Sequence, residues 1–441
     1  MPRPVVITGL GAVSALGVGT APLWQGLCAG RSALKPITRF DATGFACKLA
    51  GEVPEPFSIK DFVPKHYRKA TKVMARDIEL AVAAAKEAAD SAHLITRGVL
   101  PEDATEGMTY PTGRVGCHIG AGLIAADSDE LSAAFATARD SLGNVSLPIW
   151  GEQGMENLTP LWMLKYLPNM LACHVTIIHG CEGPSNTITC AEASGLLCLG
   201  ESARVIERGD ADACFSGSAE SKLNLMGLLR MQFAGRAGET GTCTDGGAFI
   251  QPFDTNSPGG IIGEGAGILI LEDEHAARQR NATIWAKVSG TGAGHSPRRP
   301  PQGALSIDEG FLAAIDNAIA DAKLTPDAID AVVLLGSGVP GVDAGEGLAL
   351  AQLLGTRTPS VPVVTIGPSI GNTAAGNGGL LAVVAAMVVK HQTLPARINT
   401  GHPKTLNAGP APTQAMKLKH VLVATSSLAG QNAAAVLSAV E

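Results

Sequence analysis

The fold of this chain is decided by the stretch GPSNTITCAEASG, residues 183–195. An apolar segment leads into it, small residues form a tight turn in it, and a helix is predicted after the turn over residues 193–209. Glu192 stands in that turn, near the start of the helix. Negative charge is favourable there, because the first backbone N–H groups of a helix have no partner within it. Glu192 is therefore either a structural carboxylate held by backbone N–H groups or a functional carboxylate, acting as acid, base or orienting group in a pocket.

Composition disfavours several classes of function. The 441 residues carry a net charge of −7, which argues against non-specific binding to nucleic acid. No run of eighteen apolar residues occurs, so we expect no membrane span. The first residues, MPRPVVITGLG, enter a predicted strand at once and leave no room for a signal peptide. The nine cysteines form no CxxC pair, so we expect free thiols in the cytoplasm, no metal site and no cofactor.

The pattern of apolar residues predicts a duplicated α/β unit. In the first half, buried strands are predicted over 4–10, 114–121, 210–220 and 261–272, with a helix over 77–93. In the second half, helix 309–324 mirrors helix 77–93, and the segment 327–338 parallels strand 114–121. A strand over 361–366, a helix over 377–390 and a final strand from 420 follow. In both halves the helix is followed by a short polar link, then by a buried strand, and then by a glycine-rich loop.

Residues 122–165 do not follow this pattern. They are polar at first, then carry Trp150 and Trp162, and show no clean periodicity. A long irregular segment inside a compact body is usually functional, and two tryptophans are costly to leave in water. We therefore expect this segment to form an interface and to shape a pocket.

Five stretches, in this order and spacing, together resemble the β-ketoacyl-acyl-carrier-protein synthase family, and the similarity runs nearly from end to end of the chain. They are VVITGLGAVSALG (5–17), SALKPITRFDATGF (32–45), YLPNMLACHVTIIHGCEGPSNT (166–187), GDADACFSGSAES (209–221) and GGIIGEGAGILILED (259–273). The resemblance implies a thiolase-like, five-layered α/β/α/β/α fold built from two similar halves, residues 1–273 and 274–441. It also implies a dimer formed through the region around the turn.

The same resemblance implies that the family's condensing groups are replaced here. The family uses a cysteine nucleophile, two histidines, a lysine and a gating loop. The nucleophile position falls on Glu192, with Cys190 two residues too early. The two histidine positions fall on Leu335 and Asn372, and the lysine position falls on Gly367.

The gating loop corresponds to SLAGQN, residues 427–432, with Leu428 at the gate position and Ala429 beside it. Leu428 and Ala429 predict a stiffer loop than two glycines would give. The neighbouring residues carry further expectations. We expect the amide of Asn372 to pair with Glu192, and Cys190 and Cys198 to be buried structural thiols. We expect the glycine loops to serve close packing, and His174 and His179, which precede the turn, to lie at the surface or at an interface.

These replacements are typical of chain-length factors, which pair with an active synthase and help shape the cavity in which its chain grows. Chain-length factors commonly carry Gln at the nucleophile position, so Glu192 is a departure. The expected function is a non-condensing subunit acting on acyl chains borne by the phosphopantetheine of an acyl carrier protein, paired with a ketosynthase or with itself. Two alternatives remain: an enzyme using Glu192 as acid or base on acyl thioesters, and a homodimeric acyl-binding protein.

Overall fold

A computed structural model describes residues 2–104, 106–296 and 306–440. The strands of these residues are β1 Val5–Ser14, β2 Gly17–Val18, β3 Leu34–Pro36, β4 Leu49–Gly51, β5 Val115–Gly120, β6 Ser185–Ile188, β7 Ala213–Ser221, β8 Ile262–Asp273, β9 Ala286–His295, β10 Ala331–Leu334, β11 Val363–Thr365, β12 Thr393–Leu394, β13 Gln414–Ala415, β14 His420–Ser426 and β15 Gln431–Ser438.

The α-helices are α1 Thr20–Cys28, α2 Arg76–Ser91, α3 Ser128–Thr137, α4 Leu147–Glu152, α5 Met170–His179, α6 Ser194–Glu207, α7 Leu225–Phe233, α8 Gly246–Phe249, α9 Glu274–Gln279, α10 Glu309–Asp321, α11 Pro340–Leu354, α12 Gly367–Ile370 and α13 Gly376–His391. Short 3₁₀ turns connect several of them, including Ala191–Ala193 directly before α6.

The strands run in the order β11-β10-β14-β15-β9-β1-β8-β7-β5-β6. β1 and β9 join the two halves of this path through antiparallel pairs such as Val5 with Val288 and Ile7 with Ala286. Each half has parallel and antiparallel neighbours: β5 is parallel to β7, and β10 is parallel to β14. The hydrogen-bonded sheet is therefore continuous, and its two halves form separate layers.

Two helices lie between these layers. α6 packs against β5 and β7 on one side and against β15 and β9 on the other. α13 contacts β7 and β8 as well as β14 and β10. α2 covers the outer face of the first half, and α10 covers the outer face of the second. The order helix, sheet, helix, sheet, helix agrees with the five layers predicted, and α2 and α10 are the mirrored helices of the two halves.

α13 is buried almost throughout because it is apolar on every side, as a helix in a central layer must be. Glycines bring it close to its neighbours. A Cβ at Gly379 would lie 2.1 Å from the carbonyl oxygen of Gly267 in β8. A Cβ at Gly195 in α6 would lie 2.3 Å from the backbone nitrogen of Gly379. The first turns of α6 and α13 therefore meet backbone to backbone.

The prediction that residues 122–165 are irregular is wrong. They contain α3 and α4, whose first turns are capped by side chains: the Asp127 carboxylate accepts from the Asp129 N–H, and the Ser146 hydroxyl accepts from the Ile149 N–H. These helices are short and mostly exposed, so they lack the apolar stripe by which a helix is recognised in a sequence. Among the described residues, no helix has the length and apolarity needed to cross a bilayer.

Gly195→Ala tests the close contact between α6 and α13. The added methyl group would overlap the backbone of Gly379 and the Ser218 hydroxyl, each 2.3 Å away, so the helices would have to separate. We expect the free energy of unfolding to fall by about 1–3 kcal/mol. Denaturant-induced unfolding followed by circular dichroism measures it.

Gly200→Ala in the same helix is the matched control. Its Cβ would meet only Thr291 at 3.5 Å, an ordinary van der Waals contact, and Ala favours helix over Gly. The variant should gain about 0.5–1 kcal/mol. Equal effects of the two substitutions would contradict the assigned contact.

Candidate functional site

The turn before α6 holds Glu192 inside the protein. β6 ends at Ile188, and Ala191 adopts the left-handed conformation with φ 47°, at a cost of about 1 kcal/mol for a residue with a side chain. The Ser194 hydroxyl accepts a hydrogen bond from the Cys190 N–H at 2.8 Å and fixes the turn. The side chain of Glu192 is only 3% exposed. The turn therefore places a carboxylate in the interior beside the first turn of α6.

Both oxygens of Glu192 accept hydrogen bonds. The side-chain amide of Asn372 donates to Oε1 at 3.3 Å, and the backbone N–H of Leu428 donates to Oε2 at 2.9 Å. The first of these is the pairing that the sequence predicted. The second was not predicted, because a backbone donor leaves no trace in the sequence. Glu192 thus ties together the segment before α13 and the loop between β14 and β15.

Asn372 has one orientation available. Its side-chain oxygen accepts from the Ala374 N–H and from the Asn377 side-chain amide, each at 2.8 Å. Its backbone bridges to the start of β8, where Gly263 N–H donates to its carbonyl at 2.8 Å. The amide nitrogen of Asn372 is consequently the atom that faces Glu192. The donor to Oε1 of Glu192 is therefore a neutral amide and not an ionisable group.

Leu335 and Gly367 lie next to each other through their backbones, with the Gly367 N–H donating to the Leu335 carbonyl at 2.7 Å. The Leu335 side chain is buried in the main hydrophobic core, together with Ile366 and Ile370. At Gly367, a Cβ would lie 2.4 Å from the carbonyl oxygen of Gly336. Neither position can therefore supply a proton, and the backbone around Gly367 leaves no room for a side chain.

The predicted gate loop, residues 427–432, contains the tight turn Ser427–Gly430. Ser427 N–H donates to the Gln431 carbonyl at 2.9 Å, and Gly430, with φ 87°, donates back to Ser427 at 3.1 Å. Leu428 is half-buried and Ala429 is exposed. The hydrogen bond from Leu428 to Glu192 therefore attaches the middle of this loop to the core. Its stiffness remains a prediction.

Two buried carboxylates on α11 hold the strands that lead into the site. Asp343 accepts from the backbone N–H groups of Ser337 and Gly338 at 3.0 and 2.9 Å. Glu346 accepts from the backbone and the hydroxyl of Ser426, at 3.1 and 2.6 Å, one residue before the gate loop. Burial, followed by the nearby charge of Asp343, raises the pKa of Glu346 to about 8. Glu346 thus anchors the gate loop from the opposite side to Glu192.

The remaining candidates do not join this cluster. Cys198 is buried, as predicted, but Cys190 is half-buried and only packs against the edge of the core. His174 and His179, which precede the turn in α5, are buried against Tyr67 and Thr96. Desolvation lowers the pKa of His174 to about 4 and that of His179 to about 3, so both rings are neutral near pH 7. In the described residues, no three His, Cys, Asp or Glu side chains converge as metal ligands.

Family models place the chain without ambiguity. The β-ketoacyl synthase N-terminal domain matches residues 2–277, and the β-ketoacyl synthase C-terminal domain matches residues 285–401. The chain belongs to the β-ketoacyl synthase family. A 3-oxoacyl-(acyl-carrier-protein) synthase 2 of Coxiella burnetii is 30% identical to it over 453 aligned residues, covering 99% of each chain.

Solved structures of this family share the fold. The structure titled as the ishigamide ketosynthase/chain length factor superposes with a TM-score of 0.81 at 26% identity, covering 100% of both chains. A β-ketoacyl synthase from Burkholderia phymatum superposes with the same TM-score at 25% identity and the same coverage. The thiolase-like fold predicted from the sequence is thereby confirmed.

Glu192→Ala tests whether the carboxylate holds the gate loop. It removes the acceptor of two buried donors, each of which costs about 1–3 kcal/mol when left unpaired. We expect faster hydrogen–deuterium exchange of the backbone amides of residues 427–430, measured by mass spectrometry. Asn372→Ala is the control, because it leaves the Leu428–Glu192 hydrogen bond in place. Unchanged exchange in Glu192→Ala, or equal acceleration in both variants, would show that the loop does not depend on Glu192.

Glu346→Gln tests the raised pKa behind the gate loop. In the folded protein Glu346 holds its proton up to about pH 8, whereas its ordinary pKa is 4.5. Wild-type stability should therefore fall as the pH rises from about 4.5 to 8, because the unfolded state releases this proton over that range whereas the folded state retains it. The neutral amide has no proton to release in either state, so the variant should become the more stable of the two by about 2–4 kcal/mol at pH 8 and lose this advantage near pH 4.5. Glu309→Gln, on the exposed first turn of α10, is the control for loss of a carboxylate. Parallel pH curves for wild type and Glu346→Gln, from chemical unfolding, would contradict the assignment.

Proposed function

We propose that this chain is a non-condensing member of the β-ketoacyl synthase family. It pairs with an active ketosynthase and shapes the cavity in which an acyl chain grows in fatty-acid- or polyketide-type biosynthesis. The observation that carries the proposal is the state of Glu192. Both its oxygens are engaged by hydrogen-bond donors, and it links the gate loop to the core. A group held in this way supports the structure of the pocket and is not free to attack a thioester.

The surrounding positions support the same conclusion chemically. Condensation needs a thiolate to take the acyl chain and hydrogen-bond donors or cations to stabilise the charge that forms on the thioester carbonyl. Leu335 offers only hydrocarbon, and Gly367 offers no side chain. Asn372 retains an amide donor, but that donor is used by Glu192. The groups that would decarboxylate an extender unit are therefore lacking at the positions where the family resemblance places them.

The family and the surface support the choice of partner. The Coxiella relative is by its name a 3-oxoacyl-(acyl-carrier-protein) synthase, and the ishigamide neighbour is by its title a ketosynthase/chain length factor. Several large apolar side chains are exposed, among them Leu123, Leu142, Leu147, Leu161 and Phe233. Exposed apolar side chains of this size support a protein partner. We propose a ketosynthase as that partner, a carrier protein with a phosphopantetheine-borne acyl chain as the source of cargo, and the cytoplasm as the location.

Activity of the chain with and without a synthase tests this function. The purified chain should show only background decarboxylation of malonyl-carrier protein, and Glu192→Ala should match it. Co-expressed with an active ketosynthase, the chain should form a heterodimer by native mass spectrometry. That heterodimer should release products whose length differs from those of the synthase alone.

Other outcomes decide between the alternatives. Turnover of acyl thioesters by the isolated chain that disappears in Glu192→Ala would establish an enzyme using Glu192 as acid or base. A homodimer that ignores every synthase yet retains acyl groups would establish an acyl-binding protein. Either result overturns the non-condensing subunit.

A further inference from the structure

The two hydrogen-bond donors that engage Glu192 have the arrangement of a binding site for an acid. Oε1 of Glu192 accepts from the Asn372 amide at 3.3 Å, and Oε2 accepts from the Leu428 N–H at 2.9 Å. Glu192 lies in the turn before α6, whereas its donors lie before α13 and between β14 and β15. A carboxylate carried by one element thus meets donors on two others, as a bound acid would.

The first donor is fixed by groups other than Glu192. The Asn377 amide donates to the side-chain oxygen of Asn372 at 2.8 Å, and the side-chain oxygen of Asn377 accepts from the Thr373 N–H at 2.9 Å. The Asn372 N–H donates to the Ile261 carbonyl at 2.8 Å. These contacts hold the Asn372 amide in its orientation whether or not a carboxylate stands in front of it.

The second donor is fixed by its own turn. Backbone hydrogen bonds close Ser427–Gly430, and Glu346 holds Ser426 from the side of α11. The direction of the Leu428 N–H is therefore set without Glu192, which adds only the attachment of the turn to the interior. Donors that are oriented in advance bind an anion at a low cost in entropy.

The surroundings of the two donors exclude most water. Glu192 is 3% exposed and Asn372 is 4% exposed. Hydrogen bonds to a charged acceptor are stronger in such an interior than in water. The gate loop extends from the Leu428 donor to the surface, where Ala429 is exposed. Opening of this loop would therefore give a small molecule access to both donors.

We propose that Asn372 and Leu428 form a binding site for a carboxylate group, and that Glu192 closes this site by occupying it. Glu192 is then an autoinhibitory contact, because it keeps small organic acids away from the two donors. Removal of its side chain opens the site. The inference concerns the isolated chain and does not depend on the partner proposed above, so the heterodimer experiment and the experiment below can fail separately.

Chemical rescue with acetate tests the site. Glu192→Ala deletes the side chain beyond Cβ, and the deleted atoms have the shape of one acetate ion. Small ligands bind in cavities that such deletions leave. Acetate should slow the hydrogen–deuterium exchange of residues 427–430 in this variant by about tenfold, because it restores an acceptor to two buried donors. Sodium chloride at equal ionic strength should leave the exchange fast, and acetate should not alter the exchange of the wild type.

Ligand-observed NMR of the Glu192→Ala chain compares acetate with its neutral isostere, acetamide. Acetamide offers one acceptor oxygen, and its NH₂ group would face one of the two donors. It should therefore bind at least about tenfold more weakly than acetate.

Two further variants locate the site. Glu192→Gln keeps the site filled with a side chain of the same size, so it should bind no acetate. Glu192→Ala combined with Asn372→Ala lacks one donor, so its acetate affinity should be lower by at least about tenfold. Circular dichroism establishes that each variant is folded. If Glu192→Ala does not fold, Glu192→Ser with formate as the probe makes the same test, because the serine fills more of the space and formate is smaller.

Four results would overturn the proposal. They are the absence of acid binding by the folded Ala or Ser variant, equal binding of acetate and acetamide, equal acetate binding by Glu192→Gln and Glu192→Ala, and equal acetate binding by Glu192→Ala with and without the Asn372 amide.

Discussion

The backbone contact between the first turns of α6 and α13 is the constraint on which the site depends. Gly195 packs against Gly378 and Gly379, and Gly379 packs against Gly267 of β8. Side chains at these positions would separate the helices by the width of a methyl group or more. The contact fixes the positions in space of the turn that precedes α6 and of the segment that precedes α13. Glu192 and Asn372, 180 residues apart in the chain, come within hydrogen-bond distance because those two ends meet.

The same constraint is compatible with the proposed loss of condensing groups, because close packing of the central layer uses glycines and apolar side chains. Leu335 and Gly367, to which the family resemblance assigns a histidine and a lysine position, are part of that packing. Leu335 joins the core, and Gly367 lets the backbone of Gly336 approach. The carboxylate of Glu192 would be costly to bury alone, but the donors of Asn372 and Leu428 satisfy both its oxygens.

The sequence predicted the structure well where apolar residues recur with a regular period or where motif residues have a fixed spacing. The bounds of the buried strands and of the two mirrored helices were predicted to within a few residues. The hydrogen bond between Asn372 and Glu192 was also predicted. It failed for α3 and α4, because short exposed helices depend on capping and carry no apolar stripe. It also failed for His174 and His179, which were expected at the surface or an interface. Both face inward from α5, where Tyr67 and Thr96 satisfy one nitrogen of each ring.

Two of the buried acidic side chains of the first half, Glu192 and Asp77, differ in a way that only coordinates can show. Glu192 and Asp77 are equally hidden from water, and both stand near the start of a helix. Glu192 has donors on both oxygens, whereas Asp77 keeps one oxygen unpaired beside a cavity. A buried carboxylate whose two oxygens accept from different elements holds those elements together. Glu192 does this between the segment before α13 and the loop between β14 and β15, so its hydrogen bonds support a structural role for this side chain.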